Sequence, residues 1–248
     1  WYVPESKAKL SHNKLDLPGA VSVTAGLISL VYAITQAPSK GWLATQTVLT
    51  LSASVLLLAF FIWNEARSKH ALMPLSIFKV GTVAGANLTQ LPLTASMFSM
   101  FFFISLYIQN VLGYSPVLTG LGFLPITVVI GFISFGMSHV IGKVGYRKPL
   151  LVAPLLMAGG LLYLSQISAN GSYWVDVFPG LILMAAGMGM MFISLTIAAT
   201  SGVPHHESGL ASGLLNTSQQ IGGALGLAIL SGIATAGVKS YITAHAHG

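Results

Sequence analysis

Apolar residues fall in long, almost uncharged runs at 17–36, 44–63, 81–109, 117–139, 149–167, 176–200 and 209–236. Roughly twenty apolar residues are needed for a helix to cross a bilayer core. The pattern therefore predicts seven membrane-spanning helices and an all-α, polytopic transmembrane bundle. The third run is longer than a span requires, and Gly81 and Gly85 place its first turn at the membrane interface. Pro18, Pro116, Pro149 and Pro179 stand near the starts of runs, where a missing N–H is harmless. Pro92, Pro125 and Pro154 lie inside runs and are expected to kink their helices.

The seventh run carries the most informative polar pattern. At steps of three and four, Gly209, Ser212, Asn216, Gln219 or Gln220, Gly223 and Gly226 or Leu227 fall on one face. Leu210, Leu214, Leu215, Ile221, Leu225 and Ile229 cover the rest. Amides in hydrocarbon must find hydrogen-bond partners, so Asn216, Gln219 and Gln220 are expected to face a bundle interior or a hydrated route. The spacings Gly209/Gly213 and Gly222/Gly226 are expected to let helices approach closely. A second polar stripe, Asn87, Gln90 and Thr94 on the third run, reads equally as cavity lining or as interhelical bonding that merely holds the bundle together.

Composition sharpens this picture. Of 248 residues, 54% are hydrophobic and 6% charged, with mean hydropathy +0.80, against about one-quarter charged in a soluble domain. The net charge of +6 is confined to short segments between the runs, so a nucleic-acid partner is not expected. Nine of the eleven Lys and Arg residues lie on alternate connections: Lys7, Lys9 and Lys14; Arg67, Lys69 and Lys79; Lys143, Arg147 and Lys148. Basic loops face the cytoplasm, which sets the chain's start inside and its end outside. Cysteine is absent, which excludes disulfides and thiolate metal sites. The chain opens without Met in a basic segment and is read as a piece of a longer polypeptide.

Other chemistry is weaker. The five acids, Glu5, Asp16, Glu65, Asp176 and Glu207, lie in loops or at run ends, none of them clearly buried. Asp176 reads as a charge favoured at a helix N-terminus rather than a coupling residue. Met184, Met188 and Met191 form an i, i+4, i+7 row read as core packing, with an adaptable binding surface as the alternative. His205, His206 and Glu207 are adjacent in sequence and do not converge as tetrahedral ligands; no metal and no cofactor is expected. Ser212 beside Gly213 has no histidine base on a plausible partner helix, so no catalytic residue and no enzyme activity is expected. Gly222-Gly223-x-x-Gly226 follows a helical stripe rather than a strand and is no dinucleotide loop.

Several segments resemble the fourteen-span drug:proton antiporter family of the major facilitator superfamily. Leu15-Asp16-Leu-Pro-Gly19 resembles the opening of its first linker span. Gly113-Tyr-Ser-Pro116, Gly120 and Pro125 resemble an external loop and the helix after it. Ser201-Gly-Val-Pro204, Glu207 and Gly209–Gly226 resemble its penultimate span. The resemblance implies a cytoplasmic segment at 1–16, two linker spans and a following loop at 17–80, and the first five spans of the C-terminal half-bundle at 81–236. An external loop or tail follows at 237–248. An N-terminal half and a last span would lie elsewhere in the polypeptide. The segment Ser138–Lys148 resembles the superfamily's basic G-x-x-x-D-R-x-G-R-R loop. Gly142 replaces its acid and Ser138 its first Gly, while Lys143, Arg147 and Lys148 keep its charge. Gln219 stands where many members have Arg.

The implied function is export of drugs or other small amphipathic compounds by proton antiport, with the coupling acids in the other half. Substrate-pathway candidates are Asn87, Gln90, Thr94, Asn216, Gln219 and Gln220. Helix-packing and gating candidates are Gly120, Pro125, Lys143, Arg147, Lys148, Gly209, Gly213, Gly222 and Gly226. The expected partners are the lipid bilayer, a small-molecule substrate, protons and the other half of the polypeptide. The expected location is the bacterial inner membrane, and a periplasmic adaptor is left open. The competing reading is a non-transporting structural or quinone-site subunit of a larger complex. The charge bias makes a direct prediction: single cysteines at Lys40 and Tyr173 react with an impermeant reagent added outside, and cysteines at Lys69 and Arg147 do not. Labelling at Arg147 with protection at Tyr173 would invert the topology.

Overall fold

A computed structural model describes residues 16–68 and 71–245. The predicted basic segment before residue 16, Lys69, and the end of the tail with His247 lie outside the described residues. The described residues form helices and no strands, and seven helical segments are long and apolar enough to cross a membrane. The described residues divide into two compact units, one up to Ser76 and one from Ile77 on.

The first unit is a hairpin of α1 (Leu17–Lys40) and α2 (Thr45–Arg67). Asp16 starts α1 by accepting the Gly19 N–H at 3.0 Å, with Pro18 in the first turn. Midway along the hairpin, Gly26 lies against Leu57 and Leu58, and the Ser54 hydroxyl donates to the Gly26 carbonyl at 2.8 Å. The open ends meet around two acids, and here the expectation of unburied carboxylates is corrected. Asp16 is 8% exposed and Glu65 4%. Asp16 accepts the Asn64 amide at 2.6 Å, while Glu65 accepts the N–H groups of Leu72 and Met73 at 3.2 and 2.9 Å. Folding the hairpin brings these helix ends together, and the hydrogen bonds offset the cost of burial.

The second unit contains α3 (Gly81–Asn110), α4 (Pro116–Gly122), α5 (Leu124–Val144), α6 (Arg147–Leu164), α7 (Phe178–Thr200) and α8 (Ser208–His245). At its centre is α7, packed on α3, α5, α6 and α8. Met184, Met188 and Met191 are fully buried there with Leu181 and Leu195, so the methionine row is core. Small residues set the α6–α7 distance: a methyl on Gly187 would stand 2.6 Å from Met157 Cγ and 2.7 Å from the Ala153 carbonyl, and one on Gly160 2.7 Å from Met184. Dispersion and close approach, rather than a hydrophobic drive, hold helices together in lipid.

Three details depart from the run pattern. Pro92 and Pro154 lie inside continuous helices, but Pro125 stands in the first turn of α5, after a break at Phe123 that ends α4. Without an N–H, and with its ring against the preceding turn, proline opens a helix more readily than it continues one. The predicted basic loop Ser138–Lys148 is mostly helix; α5 runs to Val144, and a tight turn at Gly145, φ +72°, leads into α6. Helix α8 continues beyond 236 to His245, because helical backbone satisfies itself whether or not its side chains are apolar. Packing at α7 yields a paired prediction. Gly187→Ala lowers the melting temperature in detergent by overpacking, a cost of about 1–3 kcal/mol. Gly131→Ala, where an added methyl meets no atom within 4 Å, leaves it unchanged or raised.

Candidate functional site

The two polar stripes read from the sequence belong to helices that pack side by side, α3 and α8. On α3, Asn87, Gln90 and Thr94 are all buried. The Asn87 amide donates to the Val83 carbonyl at 2.9 Å, and its oxygen accepts the Ser218 hydroxyl of α8 at 2.7 Å. The Thr94 hydroxyl donates to the Gln90 carbonyl at 2.8 Å, one turn back. Gln90 is 2% exposed, and its amide oxygen has no hydrogen-bond partner among the described residues.

On α8 the single predicted face divides in two. Ala211, Leu215, Gly222 and Gly226 are buried, with Ser218 beside them. A methyl on Gly222 would stand 2.5 Å from the Leu91 carbonyl and from Thr94 Oγ1, and one on Gly226 would overlap Ala95. These glycines bring α8 onto α3. Gly209, Ser212, Gly213, Asn216, Thr217 and Gln220 instead form an exposed stripe, and Gln219 is half-buried at its edge. A methyl on Gly209 or Gly213 meets no atom within 4 Å, so that pair approaches no helix of this chain. The physical reason for the split is size. Glycine permits backbone contact with α3, whereas amide side chains require room and turn away from it.

The remaining candidates lie apart from this pair. Gly120 is exposed on α4, and Pro125 follows the α4–α5 break. Lys143, Arg147 and Lys148 are exposed around the α5–α6 turn. Arg147 and Tyr146 share a cleft of about 400 Å³ with Gly81, Gly85 and Thr89 of α3. Asp176 accepts the Ser172 N–H at 2.6 Å while Ser172 Oγ receives the Val175 N–H, a reciprocal cap at the start of the sixth span. Among the described residues, no three His, Asp or Glu side chains group as metal ligands.

Two polar residues escaped the sequence reading. Ser218 follows Ala211 and Leu215 on the apolar side of α8 and makes the side-chain bond to α3; a lone hydroxyl on an apolar face was the available signal. Ser99, buried with an unpartnered hydroxyl, lies on an apolar groove of about 480 Å³ bordered by α3, α6 and α8.

A bundle of this kind, with seven helical segments long and apolar enough to cross a membrane and an exposed amide stripe on one of them, has the build of a polytopic membrane protein. Residues 14–227 match the Major Facilitator Superfamily, and the chain belongs to that superfamily. It is 30% identical over 244 residues to the multidrug resistance protein Stp of Mycobacterium tuberculosis, covering 98% of this chain and 45% of that protein. It is 34% identical over 238 residues to a puromycin resistance protein of Streptomyces alboniger, covering 94% and 46%. Against a cephamycin export protein of Amycolatopsis lactamdurans it is 34% identical over 241 residues, covering 94% and 49%. The resemblance to drug exporters read from Leu15–Gly19, Gly113–Pro116 and Gly209–Gly226 agrees with these relatives. The chain spans about half the length of each.

The α3–α8 contact makes one prediction here. Ser218→Ala removes the bond to Asn87 and costs about 0.6 kcal/mol of bundle stability, measured by thermal unfolding in detergent. Equal stability would show that the Asn87 oxygen finds another donor.

Proposed function

We propose that the chain is the C-terminal portion of a secondary active transporter that exports drugs or other small amphipathic compounds. The observation that carries this reading is the exposed stripe Ser212, Asn216 and Gln220 on α8, whose opposite side packs on α3. Uncharged amides and hydroxyls left unpaired in hydrocarbon are costly. They are accounted for if this face of α8 borders a hydrated route shared with the N-terminal half of the polypeptide. Alternating access then moves the two halves about a site near the membrane midplane.

In this reading α1 and α2 are the linker spans of 17–80, and α3 to α8 supply the five spans of 81–236. The groove holding Ser99 receives a further span. Protons are the coupling ion, and their acids lie in the N-terminal half, because Asp176 is engaged in its helix cap and Asp16 and Glu65 in the bonds at the open end of the α1–α2 hairpin. Asn87 and Thr94 support the route from behind by holding α8 on α3, with Gln90 beside them. Gly209 and Gly213 leave the stripe free of bulk, while Lys143, Arg147 and Lys148 hold the α5–α6 turn at the cytoplasmic face of a bacterial inner membrane. The fold's role is transport rather than catalysis, and its partners are lipid, substrate, protons and the other half-bundle.

The test uses the full-length protein with Asn216→Leu or Gln220→Leu. An apolar replacement favours insertion, so lost export cannot be assigned to failed membrane entry. Substrate binding is expected to weaken while the melting temperature holds. Unchanged binding with a lower melting temperature would make these amides packing groups and remove the basis of the proposal.

A further inference from the structure

The break between α4 and α5 interrupts a segment, Pro116–Val144, that is apolar enough to be one span. Pro125 has no N–H to offer the Leu121 carbonyl, and the Ile126 N–H turns back to Phe123 O at 3.1 Å. The Gly122 carbonyl is thereby released from the helical ladder. In a membrane such a group needs another donor, and the Tyr173 hydroxyl supplies it at 2.5 Å. The approach depends on Gly122, since a methyl there would lie 3.3 Å from the tyrosine ring. The same ring stacks on Tyr114, centroids 6.4 Å apart, in the turn before α4. One side chain thus touches the chain on both sides of α4.

Helix α4 has little else to hold it. Val117, Leu118 and Leu121 are exposed, and Thr119 is its buried residue. Tyr173 is well anchored by contrast. It is 6% exposed, so a cysteine in its place is shielded and Lys40 is the open one of the two outward labelling positions; Tyr173 begins the π-helical turn Tyr173–Val177, against Trp174 and Phe178. Short, loosely packed elements open at low free energy and are the usual source of moving parts.

We propose that Tyr173 is a latch for the external end of the transport route. Its hydrogen bond to Gly122 holds the end of α4 on the π-helical turn that precedes α7, and releasing it lets α4 pivot at the Phe123 break. Tyr173 acts as a positioning residue and need not touch the substrate. A single hydroxyl–carbonyl bond biases an equilibrium by about fivefold, enough to favour closure and weak enough to break in every cycle. The proposal rests on the export reading for its role in a cycle, although the latch itself can be measured without transport.

The experiment places one cysteine at Thr119, the buried position of α4, in the full-length protein and follows its labelling by an impermeant maleimide added outside. Tyr173→Phe is expected to speed labelling about fivefold and to change kcat for export with KM nearly constant. Gly122→Ala, which displaces the ring, is expected to act in the same direction. Tyr163→Phe is the control. Its hydroxyl donates to Val175 in the same π turn at 2.7 Å but does not reach α4, so labelling and export are expected to stay unchanged. Unaltered labelling in Tyr173→Phe overturns the latch, as does an equal acceleration in Tyr163→Phe, which would indicate general loosening of the turn. Faster labelling in Tyr173→Phe and Gly122→Ala, in a protein that exports nothing, supports the latch and defeats the export reading instead.

Discussion

Hydrocarbon offers no hydrogen bonds, so each polar group that enters the membrane must be answered by another group of the protein. Much of this structure follows from that demand. At the open end of the α1–α2 hairpin, Asp16 and Glu65 are buried because each can accept N–H groups that helix ends and turns leave free. Where proline disrupts the ladder between α4 and α5, a tyrosine from the start of the sixth span completes it. Hydroxyls along the spans mostly donate to a carbonyl one turn back, as Thr94 does to Gln90.

The same demand gives meaning to the polar groups that remain unanswered. Asn87 finds Ser218 across the α3–α8 contact and becomes part of the scaffold. Asn216 and Gln220, two and three turns along the opposite face of α8, are exposed. Residues of one chemical type thus meet different surroundings, bonded across the α3–α8 contact or exposed on the far side of α8. Helix contacts themselves depend on absent side chains: Gly222 and Gly226 against α3, Gly187 and Gly160 between α6 and α7. Flexible methionines fill the spaces so created around α7.

Span number and the all-α class were legible in the sequence because bilayer thickness imposes a length on apolar runs that local reading detects, and the superfamily was legible through its resemblance at Leu15–Gly19, Gly113–Pro116 and Gly209–Gly226. The methionine row was legible for a similar reason, since helical periodicity is local. The helix break at Phe123 was partly so. Pro125 signalled a disturbance, but whether a proline kinks a helix or starts a new one depends on whether a neighbour can take up the released carbonyl.

Which polar residues are hidden and which displayed was decided by tertiary structure alone. Periodicity placed Asn216, Gln220, Gly223 and Gly226 along one broad face of α8, yet it cannot say where on that face a neighbour lies. The contact with α3 is drawn to the glycines, where backbones meet, and this rotates Asn216 and Gln220 outward. Burial of Asp16 and Glu65 was hidden from the sequence for a related reason. They are 49 positions apart, and only the hairpin brings their helix ends together. A sequence states what each residue can bond to, but whether the partner arrives is a property of the folded chain.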